Sequence, residues 1–159
     1  MKKLALIAVC LLFSTTLMCQ SKFSNTIEAM EKIDGITIIK ISKPMFKFIE
    51  SLNIDYPIHK LAGKIENFTL ITCDNIGDKQ KSFSDLIATA ESQIFGLNYD
   101  ALVSIKDGDT TVGITAEEPK NDTIKDFIIF SIGSDKIVLL FIEGYFKPKD
   151  LAEFMSMVQ

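Results

Sequence analysis

Apolar positions along the chain follow two periods, helical in the first part and extended in the second. Phe23, Ile27 and Met30 are spaced i, i+4, i+7, which predicts a short amphipathic helix over 23–32, broken by Asp34-Gly35. ITIIKIS (36–42) is β-branched and apolar, the composition of a strand. Ser42 is placed to cap a following helix, with Pro44 in its first turn and Met45, Ile49 and Leu52 along its apolar face. Residues 53–64 are irregular and contain the single histidine, His59. IENFTLITC (65–73) is a second strand, followed by a turn at 75–78. Ser82-x-x-Asp85 then has the spacing of a capping box. Phe83, Leu86, Ile87, Ala90 and Ile94 keep helical spacing until Gly96 and Asn98 stop the helix.

From residue 100 the pattern is extended. ALVSIK (101–106) and TTVGIT (110–115) flank Asp107-Gly108-Asp109, and DFIIFSI (126–132) and KIVLLFIE (136–143) flank Gly133-Ser134-Asp135, two hairpin signals. IVLLFI (137–142) is apolar at every position, so it is expected to be a central strand covered on at least one face. Gly144 and Pro148 lead into a last helix with Leu151, Phe154, Met155 and Val158 on one face. The order is α, β, α, β, α, four strands, α. The expected fold class is α+β: a mainly antiparallel sheet containing a four-strand C-terminal meander, with helices packed on one face and a C-terminal helix.

The first 19 residues change this picture, because they have the pattern of an export signal. Lys2 and Lys3 precede the apolar run LALIAVCLLF, which is too short to span a bilayer of about 30 Å. The expected division is therefore a signal over 1–19 and one domain over 20–159, 140 residues after 19 are removed from 159. In TTLMCQSKF (15–23), Cys19 is either the last residue of the signal, leaving Gln20 first, or a lipidated first residue. A lipobox favours a small residue just before the cysteine and Leu three before it; Met18 and Thr16 occupy those positions. Cleavage after Cys19 is the favoured expectation, giving a periplasmic or secreted protein, with an outer-membrane lipoprotein as the alternative.

Charge narrows the function further. The chain has 17 basic and 21 acidic residues, and every basic residue is Lys. Without Lys2 and Lys3 the count is 15 against 21, a net charge of −6. An acidic domain without Arg lacks both the footprint for nucleic acid and the planar fork that grips phosphates. Of three cysteines only Cys73 lies inside the domain, so no internal disulfide is expected.

Candidate chemistry is sparse. Cys73 sits in a strand-like run where a buried hydrophobe is the simple reading, and His59 is its only conceivable base. Asp107-Gly108-Asp109 with Glu117-Glu118 lacks the oxygen spacing of a calcium loop, and His59 lacks partners at ligand spacing for zinc. Ser42-Lys43 are adjacent and would point apart on a strand. No nucleophile elbow, P-loop or dinucleotide fingerprint occurs. No catalytic residue, cofactor or metal is therefore assigned. Asp109-Thr110-Thr111 and Asp122-Thr123-Ile124 resemble the short Asp-Ser/Thr-apolar pattern that some Gram-negative bacteria glycosylate on exported proteins. Tyr145, Phe146, Phe154, Met155 and Met157 crowd the C-terminal end, where a helix face packed on the sheet is expected.

Several segments together resemble exported proteins of Gram-negative bacteria in the domain-of-unknown-function family 4252. They are ITIIKISKPMFKFI (36–49), FTLITCDN (68–75), NYDALVSIKDGDTTVGI (98–114) and IKDFIIFSIGSDKIVLLFIEGYFKPKDLAEFM (124–155). The resemblance implies an exported or lipid-anchored single-domain protein and brings no catalytic motif. The expected function is a non-enzymatic binding or interaction module of the cell envelope. Its partner is an envelope protein or small ligand, with no nucleic acid and membrane contact only through the signal or a lipid on Cys19. The alternative is a cell-envelope hydrolase whose site is assembled from dispersed acidic and Ser/Thr residues.

Overall fold

A computed structural model describes residues 22–51, 61–94, 97 and 99–157, with side chains at 49–50 and 153–157 excepted. Helix α1 (Ser24–Glu31) leads through Gly35 into β1 (Thr37–Ser42), α2 (Lys43–Ser51) and β2 (Ile65–Asp74). A single 3-10 turn, Gly77–Lys79, opens α3 (Gln80–Ile94). β3 (Asp100–Asp107), β4 (Thr110–Ala116), β5 (Ile124–Ile132), β6 (Lys136–Phe146) and α4 (Pro148–Met157) complete the chain.

The six strands form one antiparallel sheet in the order β1-β2-β6-β5-β4-β3. The α+β class, the β3–β6 meander and the C-terminal helix are those read from the sequence. β6 lies between β2 and β5, the interior position its unbroken apolar run requires. Two-residue and three-residue turns join β3 to β4 and β5 to β6, as the Gly108 and Gly133 signals predict.

One face of the sheet is closed. Ile71 and Cys73 of β2, Ile128 and Phe130 of β5, and Ile137, Leu139 and Phe141 of β6 meet Phe23, Ile27 and Met30 around α1 and Phe83, Leu86, Ala90 and Ile94 of α3 in one buried cluster. The i, i+4, i+7 spacing of α1 and the long apolar stripe of α3 are what bring these helices down onto the strands. Full burial of a side chain such as Leu86 or Ile137 stabilises by about 1.5–3 kcal/mol, so this cluster is the main source of cohesion.

The helices are nevertheless shared between both faces, which corrects the expectation that they lie on one. Phe46 of α2, Ile65, Phe146 and Leu151 of α4 join Ile114, Phe127 and Ile142 in a second cluster on the opposite side. The physical reason lies in β2, β5 and β6, which are apolar on both sides and cannot be satisfied by one helical layer. On α2 the buried residue is Phe46, while Met45 is 51% exposed; Ile49 and Leu52 lie outside the described side chains.

Two boundaries also differ from the sequence reading. α3 starts at Gln80, so Ser82 and Asp85 lie inside it rather than at its cap. β6 continues through Gly144 to Phe146, where Tyr145 and Phe146 still pair with β5, and at Gly144 the backbone carbonyl of Lys64 occupies the space a Cβ would need. The cap of α4 is made instead by Asp150, whose Oδ2 accepts from the Lys147 N–H at 2.7 Å, with Pro148 at the first helical position.

Candidate functional site

The strand registers place two complete rows of side chains on the face opposite α1 and α3. Thr37, Thr72, Val138, Ser131, Val112 and Ile105 form the outer row. Ile39, Leu70, Leu140, Ile129, Ile114 and Val103 form the next. A third row, Ile41, Phe68, Ile142, Phe127 and Ala116, lies within the second cluster, and among the described residues the helices meet the face there.

The outer two rows span all six strands without a charged side chain. Nine of the twelve positions are Val, Ile or Leu, and the others are Thr37, Thr72 and Ser131. Ile105 is 53% exposed, Ile39 46% and Val112 38%, whereas Ile114 in the second row and Ile142 and Phe127 in the third are buried, with Val103, Ile129 and Leu140 packed against the same cluster. Contiguous apolar surface of this extent marks an interaction site more often than ordinary protein surface. Sequence reasoning missed it because these residues have the composition of core, and composition does not say which side of a strand is covered.

A polar layer lies on the closed face, under the first turn of α1. Asp126, 4% exposed, sits in a bulge between Lys125 and Phe127 with φ 54°, and its Oδ1 accepts the Gly144 N–H at 2.9 Å. Burial pushes its carboxyl above the usual range; the Gly144 bond and Lys125 pull it back, and the charge of Glu143 pushes it up again. Glu143, 7% exposed, accepts from Asn67 Nδ2 at 2.9 Å. The Tyr99 ring meets Phe23 edge-on, lies 4.5 Å beneath the Lys22 ammonium, and has its phenol pushed upward first by burial and then by Asp126, Glu117 and Glu143. Lys22 also pairs with Glu117, whose carboxyl this contact holds down. Through Lys22 and Phe23 the start of α1 is thereby tied to Tyr99 before β3 and to Glu117 after β4.

Beside it a groove of about 470 Å³ runs between α1 and the β1–β2 edge, lined among others by Ser24, Glu28, Lys40, Asn67, Thr69 and Glu143. Its polar groups satisfy one another: Ser24 donates to Glu28, Lys40 pairs with Glu31, and Asn67 donates to Glu143. The hydrolase alternative needs the groove and a perturbed carboxylate to coincide. Asp126 is not among the groove's lining residues.

The structure separates most residues singled out in the sequence. Asp107 and Asp109 stand at one end of β4 and Glu117 at the other, about 20 Å apart for a seven-residue strand. Ser42 ends β1, and the Lys43 ammonium is 3.1 Å from Glu66. Cys73 is 2% exposed, with its thiol pushed up by burial. Thr110 and Thr123 are half-buried at hairpin ends. Tyr145 is 56% exposed beside Lys125, while Phe146 is buried. Cys19, Gln20 and His59 lie outside the described residues. Among the described residues no helix is long and apolar enough to cross a membrane.

No curated protein and no solved structure matches the chain. The family model of the domain of unknown function DUF4252 matches residues 25–154, from α1 into α4. That span takes in every strand of the sheet, and the chain belongs to the DUF4252 family.

Proposed function

We propose that this is an exported cell-envelope protein that works as a non-enzymatic interaction module through the open half of its sheet. The observation that carries the reading is the pair of uncharged rows, with Ile39, Val112 and Ile105 held outward on a continuous six-stranded sheet. A rigid apolar surface binds without an ordering cost in its own backbone. Export rests on the n-region, apolar run and Cys19 of residues 1–19, and the domain begins at Gln20 or at a lipidated Cys19.

A photo-crosslinking residue placed at Ile105 or Val112 in the exported protein tests the reading, with Lys81 on the solvent side of α3 as control. Adducts are expected from the two sheet positions and not from Lys81. Absence of adducts from both sheet positions removes the proposal. Intact mass and the N-terminal residue of the same preparation decide between Gln20 and a diacylated Cys19, and hexose additions would assign Thr110 or Thr123 as glycosylated.

A further inference from the structure

We infer that the occupant of the open sheet face is a second copy of this chain, related by a twofold axis; this rests on the reading of that face as the interaction surface. Three properties of the face point to a copy of itself. The first is charge. A twofold contact sets a patch against the same patch, so a patch of one sign repels itself. This chain has 21 acidic against 17 basic residues, yet its two open rows carry no charge at all. A surface selected for an acidic or basic partner would carry the complementary charge.

The second property is shape. Among the described residues the helices reach the Phe68–Ile142 end of the face, the second cluster extends to Ile114 in the next row, and a step is left beside the more exposed outer row. Facing sheets pack about 10 Å apart, near the height of a helix on a sheet. Two copies with their open rows together and axes turned by about 30° put each helical step beyond the free end of the other sheet. The third is area. Six strands spaced by about 4.8 Å and two rows of about 13 Å give roughly 400 Å² per copy. Met45 and Phe48 on α2, 51% and 55% exposed, belong to the step, which this arrangement leaves outside the contact. The sum over both copies is about 800 Å², the size of a weak and transient contact, so the dimer is readily reversible.

Sedimentation of the purified exported protein between about 1 and 200 μM tests the inference. A concentration-dependent shift from one chain mass to two is expected. Ile105→Lys and Val112→Lys, each burying a charge against apolar side chains of the second copy, should each weaken the dimer at least tenfold. Ile105→Ser serves where a lysine variant loses its native circular dichroism, and should weaken the dimer without adding charge. A monomer at every concentration overturns the inference, as does a dimer that Ile105→Lys and Val112→Lys leave intact. A monomer that still forms photo-adducts with another molecule at Ile105 ends the homodimer while leaving the interaction module standing; a monomer without adducts ends both.

Discussion

Gly113 lies on β4 directly opposite Phe130 of β5, and the phenyl ring covers the bare backbone. A Cβ built on Gly113 meets Cζ of that ring most closely, Cε1 at 2.8 Å and Cε2 at 3.1 Å. Carbon atoms rest at about 3.5–4.0 Å, so alanine requires the ring to move by roughly 1 Å. Phe130 is 8% exposed and held in the closed-face cluster, so it cannot swing into solvent. Gly113→Ala should therefore cost about 1–3 kcal/mol, the usual range for overpacking, which lowers the melting temperature by roughly 4–8 °C at 2 kcal/mol. Intrinsic propensity pulls the other way, since alanine in a strand interior is favoured over glycine by about 0.5–1 kcal/mol. The sign alone thus separates the two effects. Urea unfolding followed by circular dichroism measures it, and the double variant with Phe130→Leu supplies the control: the alanine should be markedly less costly when the ring is gone. A stabilising Gly113→Ala, or one equally costly in both backgrounds, would show that the ring does not close over the glycine.

Asp126→Asn keeps an acceptor for the Gly144 N–H and suits a positive φ, while removing a carboxylate that burial makes costly to ionise. A raised folded-state pKa means that wild-type stability falls as pH rises from the ordinary Asp value through the raised one. The Asp126→Asn variant should then be the more stable above that window and lose its advantage in acid, as read from urea midpoints across about pH 3–8, a range covering the carboxylates; no gain at neutral pH contradicts the assignment. Asp150 has the opposite sign: burial acts upward but is outweighed by the Lys64 ammonium, 2.7 Å away, and the Lys147 N–H, which together hold the carboxyl low. Its contribution is present above the ordinary Asp value and lost as pH falls through the lowered one, and Asp150→Ala should cost about 1–3 kcal/mol at neutral pH, in the thermal unfolding midpoint, through the cap and the orphaned donors. Cys73 should be inert to a thiol reagent in the native protein and react only in urea, because its thiol is buried; rapid native labelling would contradict that burial.

Much of the architecture was legible in the chain because it is carried by local signals. Gly108 and Gly133 mark short hairpin turns, IVLLFI marks the interior strand, and Phe23, Ile27 and Met30 mark one helix face. What was illegible depends on partners far away in sequence. ITIIKIS and FTLIT have no clean alternation, so nothing in them says which side meets a helix, and the helices divide between faces accordingly. On α2, Met45 and Phe46 are both apolar neighbours, and only the place of Phe68, 6.4 Å from Phe46 between ring centres, decides which is buried. The bulge at Asp126 needs the Gly144 N–H, 18 residues on, and the groove beside α1 needs β1, β2 and β6 side by side. The open face was hidden for the same reason: Ile39 and Ile105 read as core until the whole sheet is assembled.

β6 pairs on one side with β5, its neighbour along the chain, and on the other with β2, where Asn67 meets Glu143 across 76 residues. β1 and β2 therefore have no sheet to join until residues 136–146 have been made. While the chain emerges from its N-terminus, TIIKIS and NFTLITC have only each other to pair with, and the β2 edge that β6 later covers is left open, an edge of the kind that associates wrongly. Such non-local pairing also folds slowly. Closure of the sheet therefore comes late, and until residues 136–146 arrive the exposed edge of β2 depends on its surroundings for protection.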